Sequence, residues 1–448
     1  MNFSNNFTAL ITTVCTAATL TSRTESSKPN IVMIMADDLG YGDISCYGGT
    51  LANTPNLDKL AEEGVRFTDF HSNGPVCSPT RAALFTGLYQ QRTGITSVIN
   101  ASNNRDHGMP TDIPTMPQAM KKLGYSTALF GKWHLGIPER FNPSRRGFDT
   151  FKGFLAGNID YHNHLDREGN LDWHQQTELK DEKGYITELM TKHALNYIDQ
   201  NKDTPFLLAI MHGAPHLPYQ GPTDKGLRLA NTPFNKQPKN LPDRDTKQIY
   251  KEMIESMDKE IGKVVARLDR HNLRRNTLIV FCADNGQTGP GSSGGLKGKK
   301  SSINEGGHRV AGIFNWPGKL KPQLCKSTAM TMDLMPTFLD MAGADSLENY
   351  KLDGISLLPL LTQSLPLPKR YTFWEYKGKK AMRDGNWKLI TSGKKTELYD
   401  LDKDLGEKHN LAGQYPEKVQ SMSKIINEWY AEVSPKTNSR KKSKKAKK

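Results

Sequence analysis

The sequence has little of what defines several common protein classes. It contains five cysteines among 448 residues, too few to indicate a cellular compartment. It shows no internal repeat, and it has no apolar stretch long enough to cross a membrane. The uncharged, moderately apolar run near the start, at 7–20, is short and rich in threonine. That run favours a signal peptide within residues 1–27 and an exported protein, although no lysine or arginine precedes it.

The net charge of +14 is placed unevenly along the chain. Seven lysines and Arg440 lie after residue 435, where the sequence has no acidic residue. Such a tail is predicted to be solvated and disordered, with at most nonspecific binding to polyanions. Because no nucleic-acid-reading motif accompanies it, we expect no specific nucleic-acid partner.

The length and the hydrophobic content of 36% suffice for one large α/β core and a smaller unit. Apolar, strand-like runs alternate with helical patterns such as those at 57–63 and 186–195. This alternation predicts an α/β fold with a large, mainly parallel or mixed sheet sandwiched by helices. Ligands of such sheets bind at the carboxyl ends of the strands, so the residues that follow each apolar run are the first candidates for a site.

Two of the predicted strands end in oxygen-bearing side chains. The run at 30–35 leads to Asp37 and Asp38, and the run at 277–282 leads to Asp284 and Asn285. Adjacent carboxylates repel one another unless a cation lies between them, and hard divalent ions prefer oxygen ligands. Either segment alone could be an Asx-rich turn after a strand, but together they favour a metal site.

A third segment, Cys-Ser-Pro-Thr-Arg at 77–81, precedes a short run of apolar and small residues that ends at Gly87. The pattern predicts a helix that begins at Cys77. Its unpaired N–H groups, with Arg81 one turn further on, would favour an anion. From these five residues alone, a small buried cysteine with no chemical role is an equally good interpretation.

Together these segments resemble the sulfatase family, in its formylglycine-dependent, arylsulfatase-like form within the alkaline phosphatase superfamily. The family signature Cys-x-Pro-x-Arg, followed by Thr-Gly, matches residues 77–81 and 86–87. The resemblance implies that a sulfatase-maturing enzyme oxidises Cys77 to formylglycine (3-oxoalanine). One hydroxyl of the hydrated aldehyde would attack sulfur, and the other would later lose its proton to expel sulfate.

The resemblance also implies one bound calcium ion. Its ligands would come from the modified residue and the two strand ends, namely Cys77, Asp37, Asp38, Asp284 and Asn285. If the N-terminal segment is removed and Cys77 is modified, Cys46, Cys282 and Cys325 remain. At most one disulfide is then available.

Two further segments carry cationic and proton-transferring groups. Gly-Lys-Trp-His at 131–134 and His-x-Pro at 216–218 match family elements. The resemblance implies that Lys132 binds sulfate, that His134 takes a proton from the diol, and that His216 protonates the departing alcohol. Alternation in an extended stretch would place Lys132 and His134 on one face, with Trp133 turned away. A structural histidine beside a core tryptophan is the alternative for His134.

The segment Leu-Lys-Gly-Lys-Lys-Ser at 296–301 departs from the family's Leu-Arg-Gly-x-Lys-Gly. Counting back from Glu-Gly-Gly at 305–307 assigns the family lysine to Lys300. A slip of one residue in this loop would give Lys299, and Lys297 is also close. A solvated, lysine-rich face is the ordinary alternative.

Substrate-binding candidates lie in the segment 157–167, where family members build substrate loops. The side chains chosen there are Asp160, Tyr161, His162, His164 and Arg167. They could contact a sugar ring and a neighbouring acidic group, although an exposed polar loop fits equally well. His212, at the end of a buried run, could line the cleft or pack at the strand end.

After residue 362 the pattern changes to short strand-like runs and a helix at 416–433, which resembles the family's small C-terminal antiparallel subdomain. We therefore predict a leader at 1–27, a catalytic α/β domain at 28–362, an antiparallel subdomain at 363–434 and a basic tail at 435–448.

The resulting prediction is an exported hydrolase of sulfate esters on a carbohydrate, with galactose- or galactosamine-type glycans favoured by resemblance. The alternatives are a phosphodiester or phosphonate monoester hydrolase of the same superfamily and a non-catalytic binder of sulfated glycans.

Overall fold

The computed structural model describes residues 28–100, 103–238 and 244–434. The predicted signal peptide at 1–27 and the basic tail at 435–448 lie outside these ranges, so both stay predictions. Within the described ranges, no helix is long and apolar enough to cross a membrane.

A mixed sheet of eleven strands forms the centre of the structure. Its strands are β1 Asn30–Ala36, β2 Val65–His71, β3 Ser126–Lys132, β4 Thr150–Phe154, β5 His174–Gln175, β6 Glu178–Leu179, β7 Phe206–Met211, β8 Thr277–Ala283, β9 Arg309–Asn315, β10 Gln323–Cys325 and β11 Ala329–Met330. The order is β10-β2-β9-β8-β1-β7-β3-β4-β5-β6, with β11 paired to β2. Strands β8, β1, β7, β3 and β4 are parallel, whereas β9 is antiparallel to both of its neighbours.

The central strands are almost entirely apolar because they lie in the middle of the sheet. All residues of β1, β7 and β8 are buried, because both faces of the sheet are covered. Strands in that environment are continuous apolar runs rather than alternating patterns. The predicted α/β class is confirmed, and the sheet is of the mixed kind.

Helices cover the sheet in two groups. They are α1 Pro55–Glu62, α2 Cys77–Thr86, α3 Gln90–Thr93, α4 Met116–Lys122, α5 Ile186–Asn201, α6 Thr246–Arg270, α7 Glu305–His308, α8 Leu334–Met341, α9 Leu358–Gln363 and α10 Pro416–Val433. Helix α6 contacts α1 and α5, while α2, α4 and α8 contact one another. Helix α2 ends at Gly87, whose φ of +67° is left-handed and suits glycine.

A second, four-stranded antiparallel sheet follows. Its strands β12 Thr372–Tyr376, β13 Lys379–Asp384, β14 Trp387–Ser392 and β15 Lys395–Asp400 pair in sequence order. Helix α10 contacts β13 and β14, as the resemblance implied for the C-terminal part.

Buried ion pairs join this small sheet to the main one. The Nζ atom of Lys388 on β14 lies 2.8 Å from Glu305 and 3.0 Å from Glu407, and the Lys388 side chain is completely buried. Arg383 on β13 lies 2.7 Å from Asp69 on β2. Because an unpaired buried charge is strongly destabilising, these pairs fix the C-terminal sheet against α7 and β2.

Candidate active site

The parallel strands β1, β3, β7 and β8 end at one edge of the sheet, and the candidate residues lie there. Helix α2 adds Cys77, its first residue. The possible ligand atoms of four residues all lie within 4.8 Å of one another: Asp37, Asp38, Cys77 and His216. Segments far apart in the sequence therefore form one buried cluster.

The thiol of Cys77 is closed off from solvent, since the residue is only 1% exposed. Its Sγ atom lies 3.4 Å from Asp37 Oδ1 and 3.3 Å from Lys300 Nζ. Burial raises the pKa of the thiol well above its ordinary value, and the nearby carboxylates of Asp284 and Asp37 raise it further. The encoded cysteine is thus a neutral thiol, which is a weak nucleophile.

Asp38 is held in a strained conformation at the centre of the site, with a φ of +62°. Its carboxylate accepts hydrogen bonds from Lys300 Nζ at 2.6 Å, Asn285 Nδ2 at 2.8 Å and Thr288 Oγ1 at 3.0 Å. Burial opposes ionisation, but His216 and Lys300 lower the pKa of Asp38 below its ordinary value. Asp38 is therefore ionised in the folded protein.

Two more buried carboxylates each meet a buried cation. Lys132 Nζ lies 2.6 Å from Asp37 Oδ2, and the Arg81 guanidinium donates to Asp284 Oδ2 at 3.0 and 3.1 Å. Burial and the adjacent Asp37 nonetheless raise the pKa of Asp284 to about 6. The negative charge at this point is only partly compensated by the side chains.

The donor set fits a hard divalent cation. The Oδ1 atom of Asn285 is buried and has no hydrogen-bond partner among the described residues. A buried polar atom without a partner costs about 1–3 kcal/mol, which a bound ion would offset. With Asp37, Asp38 and Asp284, this oxygen makes a set of the kind that calcium prefers.

The segment that carries His134 is not extended throughout, as the alternation argument had assumed. Strand β3 ends at Lys132, and His134 has a left-handed φ of +61°. Even so, Trp133 is completely buried, with its ring 5.3 Å from that of Phe85, while Lys132 and His134 both reach the site.

The two histidines present different ring nitrogens for proton transfer. Nε2 of His134 lies 2.9 Å from the Ile99 carbonyl, which assigns the hydrogen to Nε2 and leaves Nδ1 as a buried lone pair without a partner among the described residues. Burial and the neighbouring Lys132 lower the pKa of His134, so it is a neutral base. In His216, Nδ1 lies 2.6 Å from the Leu217 carbonyl.

His216 therefore has Nε2 available, and this atom lies 3.5 Å from Asp38 Oδ2. Burial lowers the pKa of His216 to about 3, although Asp38 opposes the shift.

A cavity of about 230 Å³ opens beside Cys77. Its lining includes Cys77, His134, His216, Lys300, Arg167 and Asn158, and no described aspartate or glutamate is among the lining residues. Sequence reasoning had not selected Asn158. No local sequence signal singles it out; the neighbouring Gly157 also lines the cavity, and a Cβ atom there would lie 2.7 Å from His134 Nε2.

The three candidate lysines of the loop at 296–301 differ in their contacts, and of the three it is Lys300 that reaches the site. Lys300 reaches Asp38 and the thiol, whereas Lys299 is exposed. Lys297 donates to the Tyr399 hydroxyl at 3.0 Å, away from the cavity.

Of the substrate candidates, Arg167 lines the cavity and the others do not. Each of the other four in the segment bonds to a different part of the protein: Asp160 to Arg228 N–H, Tyr161 to the Gly213 carbonyl, His162 to the Gly221 carbonyl and His164 to the Gly184 carbonyl. His212 is buried at the end of β7, with its N–H bonded to the Met35 carbonyl.

The sulfatase family model matches residues 29–344, which hold every residue of the cluster at Cys77 and of the cavity lining. The chain belongs to the sulfatase family. It is accordingly a sulfuric ester hydrolase, as predicted. A second model, described as N-sulphoglucosamine sulphohydrolase, C-terminal, matches residues 299–433.

Individual relatives of this sulfatase agree with the family match. Human arylsulfatase A is 31% identical over 464 aligned residues, which cover 89% of this chain and 87% of that protein. Rat N-acetylgalactosamine-6-sulfatase is 31% identical over 381 residues, covering 79% and 70%. The crystal structure of Ps i-CgsB in complex with k-i-k-neocarrahexaose superposes with a TM-score of 0.80 at 30% identity, covering 90% and 93%. The predicted alkaline-phosphatase-like fold is confirmed.

Proposed function

We propose that this sulfatase removes sulfate from a sulfated carbohydrate of the galactose or galactosamine type, using formylglycine made from Cys77 and one calcium ion. The observation that carries the proposal is the convergence of Cys77, three buried carboxylates, two buried cations and the partly buried Lys300 beside a cavity without described acidic lining residues. The relative named N-acetylgalactosamine-6-sulfatase and the Ps i-CgsB structure in complex with k-i-k-neocarrahexaose support the choice of sugar.

Asp37, Asp38, Asp284 and Asn285 would hold the calcium ion, with residue 77 beside them. When present, the ion supplies positive charge for the sulfate and the aldehyde hydrate supplies the nucleophilic hydroxyl, which the neutral thiol of Cys77 cannot replace. The maturing enzyme that acts on Cys77 is the partner this chemistry needs.

The chain's own cations stabilise the charge that shifts toward the bridging oxygen as the S–O bond breaks. Lys132 and Lys300 are fixed by ion pairs with Asp37 and Asp38, so they need not reorganise during the reaction. Arg81 holds Asp284 and also donates to the Lys132 carbonyl at 2.9 Å, which fixes the end of β3.

The two histidines divide the proton transfers. His134 accepts a proton at Nδ1, the atom left free by the Ile99 contact. His216 donates from Nε2 to the departing sugar oxygen, and the negative charge of a bound sulfate ester favours the protonated ring that this requires. Such general acid catalysis contributes roughly two to four orders of magnitude in rate.

The test has two parts. Mass spectrometry of the peptide that contains residue 77, from a host with the maturing enzyme, should show formylglycine. A panel of defined sulfated oligosaccharides, read out as free sulfate, should then identify the sugar and the sulfate position, and Cys77→Ala should release none.

Three outcomes contradict the proposal. Undiminished sulfate release by Cys77→Ala would exclude residue 77 as the source of the nucleophile. A strong preference for aryl phosphate or phosphonate esters over aryl sulfate would favour the hydrolase alternative. Unconverted cysteine throughout, with sulfated glycans bound but not cleaved, would favour the non-catalytic binder.

Export of the protein stays a prediction that rests on residues 1–27.

A further inference from the structure

The rim of the cavity holds an arginine whose charge is not neutralised. Arg167 lines the cavity and is half-buried. Among the described residues it forms no ion pair and no hydrogen bond; its guanidinium stacks on an aromatic ring, and the charge of the adjacent Glu168 acts on it from beyond ion-pair distance. Half-buried guanidinium groups normally have an anionic partner, because removing the charge from water is costly. Arg167 is thus poised for an anion that comes from outside the chain.

The aromatic contact fixes the position of this guanidinium. The Cζ atom of Arg167 lies 3.7 Å from the centre of the Phe234 ring, and Phe234 is 46% exposed. Stacking on a ring face restricts the side chain without neutralising its charge. The five N–H groups of the guanidinium keep their capacity to bind a planar or tetrahedral oxyanion.

The nearby carboxylates are already engaged. Asp160 accepts hydrogen bonds from the backbone N–H groups of Leu227 at 2.6 Å and Arg228 at 2.8 Å. Asp166 accepts from the N–H groups of Glu168 and Asn170, both at 2.9 Å. With the bond from the His162 N–H, these bonds use both oxygens of Asp160 and Oδ1 of Asp166. The charge of Glu168, the next residue along the chain, also acts on Arg167.

A second donor faces the same cavity. The guanidinium of Arg228 donates to the side-chain oxygen of Asn158, which leaves the Asn158 amide nitrogen as the group available in the cavity lining. Arg228 donates at 2.9 Å to the Leu165 carbonyl as well, so its position is fixed from two sides. Arg167 and Asn158 therefore offer N–H donors separate from Lys132 and Lys300, which pair with the carboxylates at the cysteine.

We propose that Arg167, with Asn158, binds a second anionic group of the substrate while the reacting sulfate lies at residue 77. The substrate class is then a polyanionic glycan, with a further sulfate or a carboxylate on the same or the adjacent sugar. This inference rests on the proposed function, because it assumes a sulfate ester at the Cys77 end of the cavity.

The test compares substrates that carry one or two anionic groups. They are an aryl monosulfate, a disaccharide with two sulfates, and a disaccharide with one sulfate and one carboxylate. For Arg167→Ala, we expect the ratio of kcat/KM on a two-anion substrate to kcat/KM on the monosulfate to fall about 30-fold, through KM, as loss of a charge-assisted pair predicts. Arg167→Lys should keep part of the ratio. The disaccharide that shows the loss identifies the anion.

Arg140→Ala is the matched control. Its guanidinium also stacks on a ring, that of Phe141 at 4.5 Å, but it does not line the cavity. This variant removes the same charge and should leave the ratio unchanged.

An unchanged ratio in Arg167→Ala, or an equal loss in both variants, would overturn the inference. If the wild type cleaves no sulfate ester, the proposed function fails; calorimetric binding of the two disaccharides to wild type and Arg167→Ala then decides the anion site separately, and equal affinities would reject it.

Discussion

The Nζ atom of Lys132 lies 2.6 Å from Oδ2 of Asp37, and both side chains are completely buried. The pair joins the ends of β3 and β1, which are not adjacent in the sheet because β7 lies between them. The ion pair therefore fixes the distance between Lys132, the candidate for sulfate binding, and Asp37, the candidate metal ligand, although β7 separates their strands.

The first prediction concerns the stability that this pair provides. Lys132→Ala leaves Asp37 buried without its partner, and removing one member of a buried pair destabilises by about 3–5 kcal/mol. We expect a loss of that size in the free energy of unfolding when a chelator is present. The loss should be smaller with calcium, which would compensate the charge of Asp37. Denaturant titrations under both conditions measure this, and Lys152→Ala, a half-buried lysine on β4, is the control. Equal losses with and without calcium would argue against an ion beside Asp37.

A second prediction separates two adjacent lysines. Lys300→Ala removes the cation that contacts Asp38 and residue 77, so kcat should fall about 100- to 1,000-fold, the usual effect of losing one preorganised donor. Lys299→Ala changes an exposed side chain and should leave kcat within about twofold. Sulfate release by the two variants, measured side by side, checks this. The opposite ranking would mean that the loop is in a different register in the active enzyme.

The third prediction concerns the oxygen of Asn285 that lacks a partner. Asn285→Leu removes this donor and should weaken calcium affinity about 10- to 100-fold, whereas Asn285→Asp keeps an oxygen there and should still bind. Isothermal titration of the metal-free variants with calcium measures both. An affinity unaltered in Asn285→Leu would exclude this residue as a ligand.

The fourth prediction is a pH dependence of stability. Burial lowers the pKa of His212 to about 3, while the unfolded chain has an ordinary histidine value near 6.5. Below pH 6.5, His212 is protonated in the unfolded state but stays neutral in the folded state, so the free energy of unfolding decreases as the pH falls. From pH 7.5 to pH 5 the loss from His212 is about 2 kcal/mol.

His212→Gln removes this contribution and leaves those of His134 and His216 in place. The difference between the free energies of unfolding at pH 7.5 and pH 5 should thus be about 2 kcal/mol smaller in the variant than in the wild type. Urea titrations at the two pH values provide the numbers. If both proteins lose the same stability, His212 is not held neutral by burial.

Much of the fold and of the site could be predicted because the informative residues follow recognisable apolar runs. The end of β1 leads directly to Asp37 and the end of β8 to Asp284, and the carboxyl ends of parallel strands meet at one edge. Helix α10 has the predicted bounds, Pro416–Val433, because a proline starts it and an apolar stripe runs along it.

The rest depended on contacts between distant segments. Asp160 and Tyr161 have residue types that suit sugar binding, but their side chains bond to residues more than 50 positions away, which no local pattern reveals. The left-handed backbone of His134 was equally invisible, since non-glycine residues adopt it only where the surrounding structure requires it.

The completely buried Lys388 has a practical consequence for shortening the chain. A protein that ended at the predicted domain boundary, residue 362, would lose the cation between Glu305 and Glu407 and the whole second sheet. Glu305, at the start of α7 and five residues from Lys300, would keep its ion pair with Arg309 at 2.9 Å but lose its completely buried lysine partner. The catalytic part is therefore not expected to be obtainable as a stable fragment, and deletion studies of this enzyme should preserve everything through the last helix.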